Sequence, residues 1–332
     1  MRFINWLIFY LSSFVVIVLF LLYGINNGID EPCAFSEEAN QSLHQKINSI
    51  PINRLVLRSP LVEHDIIYDL VILVITAHYE SEERSQIRSS WAKESKMKAK
   101  AKLIFVVGRS TKNTLETSDH DILEIDIEES YRNMVYKIET AFQWVKGNIN
   151  FEFVAKIDSD TVVHIDRLYN QLKRYQKSHS DNWVACFSSS HSPPIRDKCS
   201  PWYISKEDYA LESLPKYCNG PGYIMESKAF YTIVGAMKLH KVIELEDAFF
   251  TGIVASDRVD LVFMKDVIAP EYTEYSSCDS SKNPSLSILP THYQFGSDKL
   301  RKNLTAAWKR LQNPLCNGLI RKLRIFISDI FS

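Results

Sequence analysis

The sequence lacks an excess of charge of either sign. Its 332 residues include 39 lysines and arginines against 40 aspartates and glutamates, which leaves a formal net charge of −1 at pH 7. Proteins that bind nucleic acid usually carry a basic surface, so this balance argues against that class. Hydrophobic residues make up 45% of the chain and charged residues 24%, which is ordinary for a folded protein with a sizeable core.

Internal repeats, low-complexity tracts and cysteines at zinc-binding spacing are also missing. The six cysteines are Cys33, Cys186, Cys199, Cys218, Cys278 and Cys316. No two of them have the close spacing of a zinc finger, so a cysteine-bound metal cluster is not expected. In an oxidising compartment they can form disulfides, with a connectivity that the sequence leaves open.

Charge is absent from a long N-terminal segment, residues 3–23. This segment, FINWLIFYLSSFVVIVLFLLY, has 21 residues and no Asp, Glu, Lys or Arg. At about 1.5 Å per residue it is long enough to cross the ~30 Å hydrocarbon core of a bilayer. Arg2 precedes it and acidic residues follow, so the positive-inside tendency predicts a cytoplasmic end at residues 1–2 and a translocated remainder. We expect an uncleaved signal anchor; a cleaved signal peptide is the alternative, against which the length of the run argues.

A polar segment without sustained periodicity, residues 24–65, follows the apolar run. It contains three prolines, and we interpret it as a stem that spaces a folded domain from the membrane. Asn40 lies in this segment within the glycosylation sequon Asn-Gln-Ser, and Asn303 lies in a second sequon, Asn-Leu-Thr. Both asparagines are predicted glycosylation sites.

Apolar strands and amphipathic helices alternate from about residue 69 onward. Continuous apolar runs predict buried strands, the alternation in 121–127 predicts a half-exposed strand, and spacing near 3.6 residues predicts helices. The predicted strands are 70–77, 101–108, 121–127 and 151–157, and the predicted helices follow Ser81, as N-cap, and begin near Tyr131. This order favours an α/β sheet with substantial parallel character, in which ligands bind at the carboxyl ends of the strands.

Two aspartates, Asp158 and Asp160, stand directly after the last of these buried strands. Carboxylates at such a strand end suit a hard divalent cation, which can in turn hold a diphosphate. The pattern alone is weak, because 19 aspartates in 332 residues give about one Asp-x-Asp by chance, and a second occurs at 119–121. The segment DSDTV also fits the nucleophile motif of haloacid-dehalogenase-like phosphatases. A lumenal phosphatase is therefore an alternative, although its motif is expected nearer the start of a domain.

Six segments, read in order, resemble the blocks of glycosyltransferase family 31, the β1,3-galactosyl- and N-acetylglucosaminyltransferases. They are RSQIRSSW (84–91), ESYRNMVYKIETAFQWV (129–145), KIDSDTVV (156–163), YCNGPGYIMES (217–227), LEDAFFTGI (245–253) and THYQFGSDKLRKNLTAAW (291–308). The resemblance implies a lumenal catalytic domain at 66–312 with the Rossmann-like GT-A fold, followed by a C-terminal extension at 313–332. It also implies a Golgi-resident, single-pass type II membrane enzyme.

The activity implied by the resemblance is transfer of a hexosyl group from a UDP-sugar donor to a hydroxyl of a glycan on a glycoprotein or glycolipid. The reaction inverts the anomeric centre and forms a β1,3 linkage. Galactose is the expected sugar, while UDP-GlcNAc and UDP-GalNAc remain open because the sequence carries no readable signature for the choice. The acceptor is likewise open.

The resemblance also assigns catalytic and metal-binding roles. Asp247 is the predicted general base that accepts the proton of the acceptor hydroxyl. Asp160 and His292 are the predicted ligands of Mn²⁺, a cation that binds both carboxylate and imidazole. The alternatives are that Asp247 belongs to a solvated helix start with Glu246, and that His292 is an ordinary surface histidine.

Further residues are predicted to hold the donor or to form a sugar-binding loop. The donor residues are Arg84, Arg88, Lys156 and Asp158, and the loop residues are Gly220, Gly222 and Glu246. Arginine pairs with phosphate through two hydrogen bonds, and glycine lets the backbone approach a sugar closely. The alternatives are ion pairs of the arginines with nearby glutamates, a strand-edge role for the lysine and a simple turn for the glycines. Tyr223 either offers a flat face to a sugar ring or belongs to the core.

Two departures from the family pattern bear on activity. Ser159 stands where the family has the middle acid of Asp-Asp-Asp, so the expected loss is one oxygen ligand or one contact to the ribose. Pro221 in the Gly-rich segment removes one backbone donor. A catalytically inactive, glycan-binding relative is therefore the second alternative.

Overall fold

The computed structural model of the protein describes most of the chain between residues 54 and 312. The described ranges are 54–93, 99–109, 120–179, 181–186, 189–264, 268–269, 285–288 and 304–312. Within them, residues 197–203 belong to one unit and the rest to another. The small unit contains a turn in which the carboxylate of Asp197 accepts a hydrogen bond of 2.9 Å from the backbone N–H of Cys199.

The main unit is built on an eight-stranded mixed sheet with the order β1-β4-β3-β2-β5-β10-β7-β11. The strands are β1 Val56–Arg58, β2 Ile67–Ile75, β3 Ala101–Gly108, β4 Ile122–Ile125, β5 Asn150–Asp158, β6 Thr161–Val163, β7 Trp183–Cys186, β8 Ser189–Ser190, β9 Tyr217–Cys218, β10 Gly222–Glu226, β11 Asp260–Phe263, β12 Ile268–Ala269 and β13 Leu286–Ile288. Strands β2 to β5 are mutually parallel, whereas β10 runs antiparallel to both β5 and β7. Two small sheets, β12-β13-β6 and β8-β9, complete the β structure described.

Helices cover both faces of the large sheet. They are α1 Ser81–Ser89, α2 Met134–Asn148, α3 Ile165–Ser178, α4 Ser227–Ala236 and α5 Leu304–Gln312, with a 3₁₀ turn at Met237–Leu239 and a π-helix at Ala248–Val254. On one face, α1, α3 and α5 pack onto an apolar cluster that includes Leu70, Ile72 and Phe153. On the other, Phe142 of α2 contacts Phe230 of α4 and Phe250 of the π-helix, with ring centroids 5.5 and 5.2 Å apart. The buried parallel strands are apolar because both of their faces are covered.

The predicted sheet is confirmed as a mixed α/β sheet. The strands predicted at 70–77, 101–108 and 151–157 correspond to β2, β3 and β5. Strand β4 is shorter than predicted and mostly buried rather than half-exposed. Ser81 is the first residue of α1 and not its N-cap, a position that Glu80 occupies instead. The carboxylate of Glu80 accepts a hydrogen bond from the N–H of Ala77.

The sheet also includes residues upstream of 66. Strand β1 lies inside the range predicted as stem and pairs antiparallel with β4. None of the helices among the described residues is long and apolar enough to cross a membrane. The predicted anchor at 3–23, most of the stem and the extension at 313–332 lie outside the described residues, as do Asn40, His292 and Asn303.

Candidate active site

The candidate site lies at the carboxyl edge of the parallel strands, where β5 ends. Asp158 is the last residue of β5, and it pairs in register with Ile75, the last residue of β2. Gly222 begins the antiparallel strand β10 and pairs with Ile157. The Gly-rich segment therefore turns directly beside the acidic one, at the edge where α/β sheets bind their ligands.

Lys156 lies beneath this edge with its side chain 1% exposed. Its Nζ is 2.6 Å from Oδ1 of Asp158, 2.6 Å from Oε1 of Glu246 and 2.7 Å from the carbonyl oxygen of Gly220. Burial alone lowers the pKa of Lys156, but the two carboxylates outweigh burial and raise it above its usual range. Lys156 thus contacts three protein oxygens, and its predicted contact with a donor stays a prediction.

Glu246 is buried beside Lys156. Its second oxygen, Oε2, accepts a hydrogen bond of 2.9 Å from the hydroxyl of Tyr223, which is itself fully buried. Both carboxylate oxygens of Glu246 thus have a protein partner, and its place in the acceptor- or sugar-binding loop stays a prediction. Of the two interpretations of Tyr223, a core position is the one that the structure bears out.

Asp247 follows Glu246 and precedes the π-helix. Its Oδ1 accepts a hydrogen bond of 2.7 Å from the backbone N–H of Ala248. Its Oδ2 faces Gly220, where an added Cβ would lie 3.5 Å away, and no described residue donates a hydrogen bond to this oxygen. Burial raises the pKa of Asp247 to about 7, and the charge of Glu246 adds to the shift. Oδ2 is therefore a proton acceptor of suitable basicity at the ligand edge.

The Gly-rich segment is held in place from both ends. The carbonyl of Pro221 accepts hydrogen bonds of 3.1 Å from the N–H of Asp158 and from the hydroxyl of Thr161. At its start, Cys218 forms a disulfide with Cys186 at the end of β7, with the Cα atoms 5.0 Å apart. Because the segment is anchored through the carbonyl of Pro221, its missing N–H does not disturb this arrangement.

Asp160 stands in the turn between β5 and β6. Burial, and then the charge of Asp158, raises the pKa of Asp160 to about 7. Its only hydrogen-bond partner among the described side chains is the hydroxyl of Thr161, at 3.4 Å. A divalent cation would compensate these two carboxylates, and they provide the oxygen ligands that Mn²⁺ accepts. The described residues contain no cluster of three or more His, Cys, Asp or Glu side chains that could hold a metal ion, and His292 lies outside them.

Arg84 lies at the same edge, at the end of β2, but it is 1% exposed. Its guanidinium donates to the carbonyls of Ala77 and His78, at 2.6 and 3.1 Å. These contacts shape the loop that follows β2. Arg84 thus holds the loop that forms this part of the edge. A direct hydrogen bond from Arg84 to a diphosphate stays a prediction.

Arg88 lies beside β3 and β4, and its predicted contact with a donor stays a prediction. Its guanidinium forms hydrogen bonds of 2.8 and 2.7 Å with both oxygens of Asp121, the residue before β4. It also lies over the ring of Phe105 of β3, 4.9 Å from the centroid. Because β4 is three positions from β5 in the strand order, both contacts lie on a different part of the sheet from Asp158.

The sequence prediction missed two charged residues that tie the strand ends together. Lys137 of α2 donates to the carbonyl of Thr76 at 3.0 Å and to Glu129 at 2.8 Å. Glu129 in turn accepts a hydrogen bond from the N–H of Gly108 at the end of β3. Both residues lie in the ESYRNMVYK block, so their place in a family-like segment was the available signal.

The fold and the carboxylates at its ligand edge define the class as an α/β protein suited to group transfer. A family model described as Galactosyltransferase matches residues 82–262. That region is more than half of the chain and includes Asp158, Asp160, Gly220 and Asp247. The chain belongs to the galactosyltransferase family, and it is a hexosyltransferase. The phosphatase alternative is thereby set aside.

Individual relatives agree with this assignment. The beta-1,3-galactosyltransferase 5 of Mus musculus is 26% identical over 255 residues, which cover 74% of this chain and 79% of that protein. The Homo sapiens beta-1,3-galactosyltransferase 5 is 30% identical over 189 residues, covering 54% of this chain and 60% of that protein. Among solved structures, the galactosyltransferase LgtC with donor and acceptor sugar analogs is similar over 76% of this chain and 99% of LgtC, with 9% identity and a TM-score of 0.39. A likeness at this level carries no argument about function.

Proposed function

We propose that the protein is an inverting β1,3-galactosyltransferase of GT-A type that uses UDP-galactose and a glycan acceptor. The observation that carries this proposal is Oδ2 of Asp247. It is an oxygen without a donated hydrogen bond among the described residues, it faces Gly220, and its carboxyl has a pKa raised to about 7. The names of the similar proteins supply the sugar and the linkage.

In the proposed reaction, Asp247 takes the proton of the acceptor hydroxyl while that oxygen attacks the anomeric carbon of the sugar. A new C–O bond forms on the face opposite to the leaving group, and the bond to the UDP oxygen breaks, so UDP departs with the electron pair. One carboxylate is sufficient for such an inversion. The backbone N–H of Ala248 holds this carboxylate in place from the protein side.

Mn²⁺ would be held by Asp160, with Asp158 beside it, and His292 is proposed as the remaining ligand. When bound, the cation neutralises charge that develops on a departing diphosphate. On this interpretation, the loss of an acid at Ser159 removes one possible oxygen ligand but leaves both flanking aspartates. The enzyme is therefore expected to be active.

A donor screen tests the proposal. The purified protein is incubated with Mn²⁺, glycan acceptors and, in turn, UDP-Gal, UDP-GlcNAc and UDP-GalNAc, and release of UDP is measured. We expect UDP-Gal to give the largest release, with a product that a β1,3-specific galactosidase cleaves. UDP-GlcNAc as the preferred donor would overturn the galactose assignment. Binding of UDP-sugars without turnover of any of them would favour the inactive relative.

We also propose the Golgi lumen as the location of the domain, with residues 3–23 as a type II anchor. Two observations support it: the uncharged 21-residue run and the Cys186–Cys218 disulfide, a bond typical of oxidising compartments. Protease added outside sealed microsomes should leave the domain intact and should digest it once detergent is present. Digestion without detergent would contradict the proposed orientation.

A further inference from the structure

Three segments that are far apart in the sequence meet on one buried amino group. Lys156 has three N–H donors, and three oxygens lie within 2.7 Å of its Nζ: Asp158 Oδ1, Glu246 Oε1 and the carbonyl of Gly220. These oxygens belong to the acidic strand end, to the segment that carries Asp247, and to the Gly-rich loop. Lys156 therefore has no donor left for a substrate.

Glu246 is the second member of the cluster and Tyr223 the third. Lys156 contacts one oxygen of Glu246, and the hydroxyl of Tyr223 donates a hydrogen bond to the other, so each oxygen of this carboxylate already has a buried protein donor. Tyr223 is on β10, the strand that begins at the end of the Gly-rich loop. The cluster thus connects the loop on one side of Asp247 to the residue just before Asp247.

We infer that Lys156, Glu246 and Tyr223 form a positioning unit that fixes the Gly220 loop and the Asp247 carboxylate relative to each other without touching substrate. This inference rests on the proposed function for its kinetic consequences. A buried ion pair is a poor source of net stability, because removing two charges from water costs about as much as the attraction returns. A positioning role accounts for a buried pair that joins the residue before Asp247 to the Gly220 loop, which Oδ2 of Asp247 faces.

The first test separates positioning from stability. Lys156→Met leaves the Glu246 carboxylate buried without its cation, so its thermal unfolding midpoint is expected to fall by roughly 5–10 °C. The double variant Lys156→Met/Glu246→Gln removes both charges and keeps an acceptor for Tyr223. Its midpoint is expected to return to within roughly 3 °C of wild type, because neutral replacement of a buried pair is tolerated.

The turnover of the double variant decides the question. We expect kcat to remain about 10- to 100-fold below wild type although stability is restored, as with other residues that orient a site from behind. Recovery of kcat together with the unfolding midpoint would show a merely structural role and would overturn the inference.

A smaller change is made with Tyr223→Phe and a matched control. The control, Tyr169→Phe, also removes a hydroxyl that contacts carboxylates. These carboxylates are those of Asp69 and Glu152, at 3.3 and 3.2 Å, and they lie near the amino ends of β2 and β5. We expect Tyr223→Phe to lower kcat about 2- to 10-fold with unchanged UDP affinity, and Tyr169→Phe to leave kcat as it is. Equal effects of the two variants would count against the inference.

A readout without turnover keeps this inference distinct from the proposed function. In the double variant, hydrogen–deuterium exchange should speed up in peptides covering 217–226 and 245–252, while the peptide covering α1 should be unchanged. Unchanged exchange in the first two peptides would overturn the inference whatever the donor is. If wild-type protein releases no UDP from any UDP-sugar, the proposed function fails while this exchange test still stands.

Discussion

Two Asp-x-Asp tripeptides occur in this chain, and they adjoin different strands of the sheet. Asp158 ends β5 at the carboxyl edge, and its partner is a lysine whose side chain is 1% exposed. Asp121 precedes the short strand β4, three positions from β5 in the strand order, and its partner is Arg88. The side chains of Asp121 and Arg88 are 28% and 33% exposed. Asp119, the other half of the second tripeptide, lies outside the described residues.

The difference between the two lies in what surrounds each carboxylate. At the start of β4 a partly exposed pair is screened by water, so the charges have little effect on their neighbours. At the carboxyl edge a buried cation lies among several carboxylates, and burial with mutual repulsion raises the pKa values of Asp160 and Asp247 to about 7. The chemistry available to an Asp-x-Asp motif therefore depends on how deeply its neighbours are buried and on where in the sheet it lies.

The largest expected effect is that of Asp247→Asn. Loss of the general base should lower kcat by about 100- to 10,000-fold while UDP binding persists. Asn keeps an oxygen that can accept the Ala248 N–H, so the local backbone should hold. Turnover is measured by UDP release, with Asp121→Asn as the control at the start of β4. Near-normal turnover of Asp247→Asn would contradict its role.

The same variant should be more stable than wild type. The folded-state pKa of Asp247 lies above its unfolded value of 3.8, so ionisation opposes folding, and stability is lost as pH rises from about 4 through 7. Above neutral pH, Asp247→Asn should gain about 2–4 kcal/mol in the free energy of unfolding, measured by urea denaturation. A loss of stability would show that this carboxylate is better accommodated than its burial indicates.

The second effect in size concerns the metal. Asp160→Ala should weaken Mn²⁺-dependent binding of UDP at least tenfold, on the order of the loss found when a metal site is disturbed. Calorimetric titration with UDP, with and without Mn²⁺, gives the measurement, and Asp121→Ala should bind like wild type. Equal affinity of Asp160→Ala and wild type would place the cation elsewhere.

A pH profile should show the raised pKa of Asp247 directly. Because the base acts when deprotonated, kcat should fall about tenfold per pH unit below about pH 7 and level off above it. The charged groups that act on Asp247 are Glu246, Lys156 and Asp158. Saturating Mn²⁺ and donor keep Asp160 ionised during the measurement. A kcat that does not change across neutral pH would contradict the assignment.

The smallest effect is expected at the start of β4. Arg88→Met removes a partly exposed ion pair and a contact with Phe105, so the free energy of unfolding should fall by no more than about 1 kcal/mol. Turnover should stay within about twofold of wild type. A large loss of donor affinity in this variant would place Arg88 in the donor site and would contradict the contrast between Asp121 and Asp158.

The strands could be predicted where a short stretch of sequence is sufficient to identify them. Continuous apolar runs predicted β2, β3 and β5, because strands covered on both faces need no polar residues. Strand β10 was not predicted, since YCNGPGYIMES carries two glycines and a proline and looks like a loop. Its pairing with β5 depends on long-range contact, which local pattern does not contain.

The site was predictable as a set of segments and not as a set of contacts. Asp158, Asp160, Gly220 and Asp247 do come together at one edge, as the order of the family-like blocks implied. The engagement of Lys156 with Glu246 was missed, because 90 positions separate them and nothing local indicates that both are buried. The contact of Arg88 with Asp121 was missed for the same reason, because 33 positions separate the two residues.

In the π-helix that follows Asp247, the number of residues helps to set the geometry of the site. A π-turn closes its hydrogen bonds over one more residue than an α-turn does, and each helical residue turns the chain by about 100°. Gly252 is fixed against Tyr217, where an added Cβ would lie 3.0 Å from that side chain, and Asp247 is fixed against Gly220. A deletion between these two anchors would rotate the Asp247 carboxylate away from the loop even though every named side chain remained.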